Sequence, residues 1–215
     1  MQLKLNNIVP VPLKEKVEHR PSDVWNTVAV FDKGDKIKIK APSGTGKTTF
    51  IHIVYKLRKD FTGSVWYDGT QTSGITGDAL ANMRQHHISI IFQDLRLFPH
   101  LTAKENIELN RVMQQPFHEA SVIDSMAERL GITGILHQKA GICSYGEQQR
   151  IATIRALMQP FDWLLMDEPF SHLDENNTRK AAGLIEEECH KRQAGFILTD
   201  LDEDHHFNYS RKLAL

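Results

Sequence analysis

Small residues, a lysine and three threonines stand together in the stretch APSGTGKTT, from Ala41 to Thr49. The spacing is close to G-x-x-x-x-G-K-[ST], in which backbone N–H groups surround phosphate oxygens, a lysine reaches the β- and γ-phosphates and a hydroxyl group holds Mg²⁺. Ala41 replaces the first glycine of that pattern. The predicted phosphate contacts are Ser43, Gly44, Thr45, Gly46, Lys47, Thr48 and Thr49.

A pair of carboxylates forms the second reactive group. Asp167 and Glu168 directly follow the apolar run Leu164-Leu165-Met166, which predicts a buried strand. Ligands of open α/β sheets bind at the carboxyl ends of strands. We therefore expect Asp167 to hold Mg²⁺ through water and Glu168 to orient or deprotonate an attacking water, since phosphoryl transfer depends mainly on positioning and charge compensation. Taken alone, this motif could also be two solvated acidic residues at the end of a strand, with no role in chemistry.

A polar stretch, SYGEQQR at residues 144–150, is named the signature segment. Ser144 and Glu147 have the spacing of a capping box, so the simplest interpretation is a helix start. A helix N-terminus also binds anions, and Ser144 with the N–H of Gly146 could face a phosphate.

Strands and helices alternate around these motifs. The alternation of lysine and isoleucine over residues 36–40 predicts a strand with one wet face, and a helix is expected from Lys47 to about Arg58. Further strands are predicted around residues 28–31, 63–68, 88–92, 163–166, 196–199 and 212–215. This rhythm predicts an α/β fold with a mainly parallel sheet. Residues 95–142 interrupt it, and we expect them to form an inserted helical lobe within a single domain that covers residues 1–215. The pattern is helical from about Thr102 to Gly141, and Thr102 with Glu105 has the spacing of a capping box.

Composition limits the class of protein. The net charge of −1 and the pI near 6.8 argue against nucleic acid as a partner. The two cysteines form no disulfide framework, which favours a reducing compartment. No apolar run approaches the roughly 20 residues that span a bilayer, and the first residues contain no apolar core of a signal peptide. We expect a cytoplasmic chain.

Taken together, APSGTGKTT, Gln93 in IIFQD, SYGEQQR, LLMDEP and SHLD resemble the nucleotide-binding subunit of an ATP-binding cassette (ABC) transporter across nearly the whole chain. Residues 83–106 further resemble the lipoprotein-release and cell-division branch. The resemblance implies a phosphate-loop NTPase core, an N-terminal antiparallel β portion, and ATP and Mg²⁺ as ligands. It also implies a head-to-tail homodimer or heterodimer, peripheral on the inner face of the membrane through transmembrane permease subunits.

The resemblance also implies residue roles. Lys47, Gln93 and Glu168 would act in hydrolysis, with Thr48, Gln93 and Asp167 around Mg²⁺. Ser144, Gly146 and Gln148 of the signature segment would act on nucleotide bound to the opposite subunit. Asp174 would end a turn that crosses the dimer interface.

Two departures from the family pattern bear on activity. Tyr145 stands where the family signature usually has glycine, and Asp200 stands where the family usually has a histidine that contacts the γ-phosphate. An anion there repels phosphate unless it is protonated or bridged by a cation. His205 or His206 are possible substitutes. The aromatic residue that stacks on adenine is not obvious: Trp25 and His19 are candidates, and core packing is the other interpretation of Trp25.

The sequence leaves more than one function open. The leading interpretation is an ATPase that drives membrane partners. The alternative is a degenerate regulatory or structural dimer that binds ATP with weak or no hydrolysis, which Asp200 and Tyr145 favour. A soluble DNA-repair or translation ABC protein fits less well, because the chain has one cassette and no basic excess.

Overall fold

The structure, a computed structural model, describes residues 1–215 and contains two sheets and seven α-helices. The strands are β1 (Leu3–Pro10), β2 (Val28–Phe31), β3 (Lys36–Lys40), β4 (Phe61–Tyr67), β5 (Thr70–Gln71), β6 (Ile88–Ile91), β7 (Trp163–Asp167), β8 (Gly195–Asp200) and β9 (Arg211–Ala214). The helices are α1 (Lys14–Glu18), α2 (Lys47–Val54), α3 (Gly77–His86), α4 (Ala103–Val112), α5 (Ser121–Leu130), α6 (Tyr145–Leu157) and α7 (Glu175–Arg192).

The larger sheet is parallel, with strand order β6-β7-β8-β3-β9. The smaller sheet is antiparallel, with order β2-β1-β4-β5. Both the mainly parallel core and the N-terminal antiparallel β portion are thus confirmed.

Each face of the parallel sheet supplies one hydrophobic core, because successive side chains of a strand point to opposite faces. On β7, Trp163 and Leu165 pack with the antiparallel sheet and α2. Leu164 and Met166 pack on the other face with α4 to α7. Continuous apolar strands are the expected sequence of a sheet that is covered on both sides.

The same two-sided burial corrects the expectation of a wet face on β3. Lys38 is only 2% exposed, whereas the pattern Lys36-Ile37-Lys38-Ile39-Lys40 predicted a solvated lysine face. The segment after β8 covers this face, and Lys38 is neutralised there by Asp200 and Asp204. Period-two alternation therefore described the strand correctly, and its environment wrongly at Lys38 but not at Lys40, whose side chain is 49% exposed.

Residues 95–142 contain two helices rather than one continuous helical stretch. Helix α4 begins with the predicted capping box of Thr102 and Glu105 and ends at Val112. Pro116 follows in the connection to α5, where a continuing helix would lose a backbone donor. Gly131, at a φ of 68°, ends α5 in the left-handed conformation. These helices share a core with α6, α7 and β7, so the division of the chain into a domain and an inserted lobe stays a prediction.

Candidate functional site

The carboxyl ends of four parallel strands bring the predicted reactive segments to one edge of the sheet. The phosphate loop, residues 41–49, follows β3, and Gln93 lies just beyond β6. Glu168 follows β7, while Asp200 ends β8 between β7 and β3. Residues far apart in the chain therefore meet because the strands run in the same direction.

The phosphate loop depends on its two inner glycines. Gly44 and Gly46 adopt φ angles of 74° and 108°, a region that disfavours other residues. A Cβ atom on Gly46 would approach Leu13 Cδ1 to 2.6 Å, so the Leu13 side chain would have to move, and the backbone conformation is the main requirement for glycine. Gly46 is also the N-cap of α2. The N-terminus of α2 therefore opens onto the loop, as anion binding requires.

Lys47 is nearly buried and turns back over the loop. Its ammonium donates hydrogen bonds to the carbonyl oxygens of Ala41 (2.8 Å) and Pro42 (3.3 Å). It also lies 3.2 Å from a carboxylate oxygen of Glu168. The side chain of Lys47 is 6% exposed and that of Glu168 is 13% exposed, so this ion pair is little screened by solvent.

Gln93 joins the phosphate loop to the carboxylate. Its Oε1 accepts a hydrogen bond of 3.2 Å from the Thr48 hydroxyl. Its Nε2 donates a hydrogen bond of 3.2 Å to Glu168. The Gln93 amide therefore joins Thr48 to Glu168. Its orientation is fixed because both its oxygen and its nitrogen are hydrogen-bonded.

These groups surround a cavity of about 240 Å³. Its lining comprises Leu13, Ser43, Gly44, Gly46, Lys47, Thr48, Thr49, Gln93 and Glu168. Most of the phosphate-loop residues predicted from the sequence are thus brought together with Gln93 and Glu168. Thr45 instead lines the neighbouring cavity, and its hydroxyl donates to the carbonyl of Pro42 (2.7 Å).

Asp167 lies behind this cavity and is 1% exposed. It accepts a hydrogen bond of 2.8 Å from the hydroxyl of Thr199 on β8. Burial raises the pKa of Asp167 above its ordinary value, and the hydroxyl groups of Thr48 and Thr199 oppose that shift. A buried carboxylate of this kind gains from a nearby cation, which favours its ionised form.

The backbone at Glu168 is unusual. Its φ is 48°, a left-handed conformation that costs a residue other than glycine about 1 kcal/mol or more. The N–H of Glu168 donates to the carbonyl of Thr199 (2.9 Å), and Gln149 Nε2 donates to the carbonyl of Glu168 (3.3 Å). Strain that neighbouring groups hold in place is typical of a functional position.

The signature segment begins α6 with the predicted capping box. Ser144 Oγ accepts from the N–H of Glu147, and the Glu147 carboxylate accepts from the N–H of Ser144 at 2.8 Å. Hydrogen bonds from the Ser144 hydroxyl and N–H hold the pKa of Glu147 below its ordinary value. Gln148 donates to the carbonyl of Cys143 (2.8 Å). Neither Ser144, Gly146 nor Gln148 lines the phosphate cavity of its own chain.

A family model described as ABC transporter matches residues 27–171, which is more than half of the chain. The chain belongs to the ABC transporter family. This match spans the phosphate loop, Gln93, the signature segment and Glu168.

Individual relatives agree with this family and with the branch that the sequence resembles. The lipoprotein-releasing system ATP-binding protein LolD 1 of Rhodopseudomonas palustris is 29% identical over 81% of this chain and 78% of its own length. The macrolide export ATP-binding/permease protein MacB of Shewanella sp. is 34% identical over 78% of this chain and 26% of its own length. The chain spans about a quarter of the length of the combined ATP-binding/permease relatives (24–26%).

A solved structure shares the fold. It is described as the dimeric structure of a post-hydrolysis state of the ATP-binding cassette MJ0796 bound to ADP and Pi. It matches with a TM-score of 0.77 and 26% identity, over 93% of this chain and 88% of that chain. The phosphate-loop NTPase fold predicted from the sequence is therefore confirmed. No helix of the ABC chain is both long and apolar enough to cross a membrane.

Asp200, at the position where the resemblance implies a histidine, is paired with a buried cation. Lys38 Nζ lies 3.3 Å from the Asp200 carboxylate and also binds Asp204. Tyr209 donates a hydrogen bond of 2.6 Å to Asp204. Burial raises the pKa of Asp204, but hydrogen bonds from Lys38 and Tyr209 outweigh burial and hold that pKa below its ordinary value. Lys38 therefore neutralises Asp200, and neither of the two residues lines the phosphate cavity.

The two histidines suggested as substitutes lie elsewhere. His205 and His206 line a separate cavity that α7 residues such as Arg179 also line. Neither lines the phosphate cavity. The ring of His206 instead packs edge-to-face on Phe170, with centroids 5.6 Å apart.

A second cavity of about 240 Å³ adjoins the phosphate loop at Thr45. Leu13 lines both cavities, so they are neighbours. Trp25 lines the second cavity but is 4% exposed and packs edge-to-face on Phe50, with centroids 5.9 Å apart. His19 does not line it. Trp25 therefore has the core-packing role that the sequence left open beside adenine stacking.

Three residues of the site were not identified from the sequence. Leu13 precedes α1 and carries no motif. Gln149 is 1% exposed and contacts Glu168, but two consecutive glutamines give no sign of which one points inward. Thr199 was assigned to a strand, and only the pairing of Asp167 with Thr199 between β7 and β8 reveals its role.

Proposed function

We propose that this chain is an ATP-binding subunit that binds and hydrolyses Mg-ATP and thereby drives membrane partner subunits. One observation carries the proposal. Lys47, Thr48, Gln93 and Glu168 line a single cavity and are joined by an ion pair and two hydrogen bonds, each of 3.2 Å. A phosphate-binding lysine beside a carboxylate is the arrangement that phosphoryl transfer to water needs.

The donors available for Mg²⁺ fit that ion. Thr48, Gln93 and Asp167 supply hydroxyl, amide and carboxylate oxygens, and Mg²⁺ prefers oxygen ligands. The hydrogen bond between Thr48 and Gln93 puts two of these oxygens next to each other. When bound, Mg²⁺ would neutralise charge on the β- and γ-phosphate oxygens. No cluster of His, Cys, Asp and Glu offers a competing metal site.

Glu168 is suited to handling the attacking water. Gln93 and Lys47 each hold one of its carboxylate oxygens, and its strained backbone aims it into the cavity. When Lys47 turns to the phosphates, this carboxylate can accept the proton of a water as that water attacks the γ-phosphorus. Lys47 compensates the charge of the transferred phosphoryl group.

The signature segment fits a site completed by a second copy. Ser144, Gly146 and Gln148 do not face the phosphate cavity of their own chain, and the matched MJ0796 cassette is described as a dimer. We propose a head-to-tail dimer in which these residues meet the partner's nucleotide at the N-terminus of α6. Asp174, which caps α7 through the N–H of Asn177 at 2.8 Å, would lie at the same interface. Permease subunits would hold this dimer at the inner face of the membrane.

Asp200 supports a second candidate, a regulatory or structural ATP-binding dimer with weak hydrolysis. The carboxylate at this position is committed to Lys38, and no histidine lines the phosphate cavity. Such a protein would bind Mg-ATP tightly and turn it over slowly, even with its membrane partners present.

Substitution of Glu168 by glutamine separates these candidates. If Glu168 handles the water, Glu168→Gln slows turnover by about 10²–10⁴-fold, the range expected for loss of a general base. An ATP-bound dimer then accumulates in size-exclusion chromatography with Mg-ATP. Glu128→Gln, on the exposed surface of α5, is the matched control and keeps the wild-type rate.

The opposite results have clear meanings. An equal rate for wild type and Glu168→Gln, with tight Mg-ATP binding in both, favours the regulatory dimer. Failure of wild type to bind Mg-ATP, with Lys47→Ala indistinguishable from it, contradicts both candidates.

A further inference from the structure

Helix α6 begins with an aromatic side chain that lies between two segments of the proposed site. Tyr145 is 42% exposed, so the core does not require a large residue there. Its hydroxyl donates a hydrogen bond of 2.9 Å to the backbone carbonyl of Gln93. Its ring lies 4.1 Å from the imidazole of His172, centroid to centroid. One side chain therefore connects the start of α6 to the Gln93 loop and to the turn after β7.

The Gln93 loop needs such a support. Leu95 and Arg96 have φ angles of 56° and 47°, so two consecutive residues after Gln93 lie in the left-handed region. Arg155 of α6 holds the far end of the loop, because its guanidinium donates to the carbonyls of Leu95 (2.5 Å) and Arg96 (2.7 Å). The Tyr145 hydroxyl holds the near end, at the carbonyl of Gln93 itself.

The position of Gln93 matters because its amide makes two contacts at once. Its oxygen accepts from Thr48 and its nitrogen donates to Glu168, both at 3.2 Å. These distances are near the upper limit for a good hydrogen bond. A small displacement of the Gln93 backbone would therefore break one of them.

The turn after β7 is anchored as well, so it can serve as a fixed support. The N–H of His172 donates to Gln149 Oε1 at 3.2 Å, and Nε2 of the same glutamine donates to the Glu168 carbonyl. A hydrogen bond of 2.9 Å between Ser171 Oγ and His172 Nδ1 orients the imidazole. The Tyr145 ring rests on this imidazole and keeps its hydroxyl aimed at Gln93.

We propose that Tyr145 is a positioning residue that holds Gln93 in register with Thr48 and Glu168. The proposal rests on the proposed function, since it gives Gln93 a role in handling Mg²⁺ and water. Glycine at this position would lose both contacts, whereas phenylalanine would keep the ring and lose only the hydroxyl.

Tyr145→Phe tests the proposal through the Mg²⁺ dependence of ATP turnover. Loss of one neutral hydrogen bond corresponds to about a 2- to 10-fold change in an equilibrium. We expect the Mg²⁺ concentration for half-maximal turnover to rise by about 2- to 10-fold, while KM for ATP at saturating Mg²⁺ stays at the wild-type value.

Tyr67→Phe is the matched control. Tyr67 also donates its hydroxyl to a backbone carbonyl, that of Val54, at 2.9 Å, but in the core of the protein. Tyr67→Phe should lower the midpoint of thermal unfolding without changing the Mg²⁺ dependence of ATP turnover. A Tyr145→Phe curve that superimposes on the wild-type curve, or an equal shift in Tyr67→Phe, would overturn the proposal.

Hydrogen exchange of the backbone amides of residues 92–97, measured without nucleotide, tests this proposal independently of the proposed function. If wild type does not hydrolyse Mg-ATP, the proposed function fails, and exchange alone decides whether Tyr145 holds the loop. Exchange about 2- to 10-fold faster in Tyr145→Phe than in wild type supports the positioning role. Equal exchange in the two proteins overturns it.

Discussion

Replacement of Lys38 by methionine should destabilise the protein far more than replacement of its neighbour Lys40. The Lys38 side chain is 3% exposed and binds carboxylates that are 28% (Asp200) and 10% (Asp204) exposed. Methionine keeps most of the volume but leaves both carboxylates without their cation. Removal of one partner from a buried ion pair costs about 3–5 kcal/mol. Because Asp200 is partly solvated, we expect the free energy of unfolding to fall by about 3 kcal/mol.

Lys40→Met is the matched control on the same strand. Lys40 lies two residues further along β3, so it points to the same face, and it pairs with Glu203 at 3.4 Å. Both side chains of that pair are about half exposed or more (49% and 62%). Exposed pairs contribute about 0–1 kcal/mol, so Lys40→Met should have little effect.

Urea denaturation of the two variants and of wild type gives the measurement. The midpoint of Lys38→Met should fall, with an m-value equal to that of wild type if the folded and unfolded states keep their compactness. A loss below about 1 kcal/mol, or one equal to that of Lys40→Met, would show that Lys38 does not neutralise Asp200 and Asp204 as described.

Two further predictions concern acid stability and the phosphate loop. Burial raises the pKa of Glu188, but hydrogen bonds from His118, Arg192 and a surface lysine outweigh burial and lower that pKa to about 2. A carboxyl group whose pKa is lowered on folding stabilises the folded state at pH values above its unfolded pKa, near 4.5. The contribution of Glu188 to the free energy of unfolding of wild type should therefore fall by on the order of 3 kcal/mol as the pH is lowered from 4.5 to 2. The stability difference from Glu188→Gln, followed by urea denaturation at several pH values, should shrink over that range; a constant difference would contradict the assignment. Gly46→Ala should weaken ATP binding at least about 10-fold and cost about 1–2 kcal/mol, because alanine disfavours a φ of 108° and its Cβ would displace the Leu13 side chain. Gly44→Ala, with a φ of 74° and no atom within 4 Å of its Cβ, should lower the midpoint of thermal unfolding less.

Much of the fold followed from local pattern. Apolar strands ending in turns predicted the parallel sheet, and the capping boxes at Thr102 and Ser144 marked two helix starts that the structure confirms. The phosphate loop could be predicted because Gly46 and Lys47 act through backbone conformation and immediate sequence. Parallel strands then required Glu168 to meet that loop at one edge.

Contacts made across the fold could not be predicted in this way. Lys38 has the sequence environment of a solvated strand lysine, and its burial depends on the segment that carries Asp204 and Tyr209, near the other end of the chain. The contact of Tyr145 with Gln93 could not be predicted either, because it joins the start of α6 to a loop that lies far earlier in the chain. Such pairs depend on tertiary geometry, which periodicity does not describe.

An anion that enters the phosphate loop competes with Glu168 for the Lys47 ammonium. A triphosphate that takes the Lys47 ammonium must displace the Glu168 carboxylate from it, 3.2 Å away. That carboxylate then keeps Gln93 as its neighbour and is released from the ammonium. Occupation of the loop would therefore free the carboxylate that has to meet the attacking water, which couples binding to readiness for chemistry.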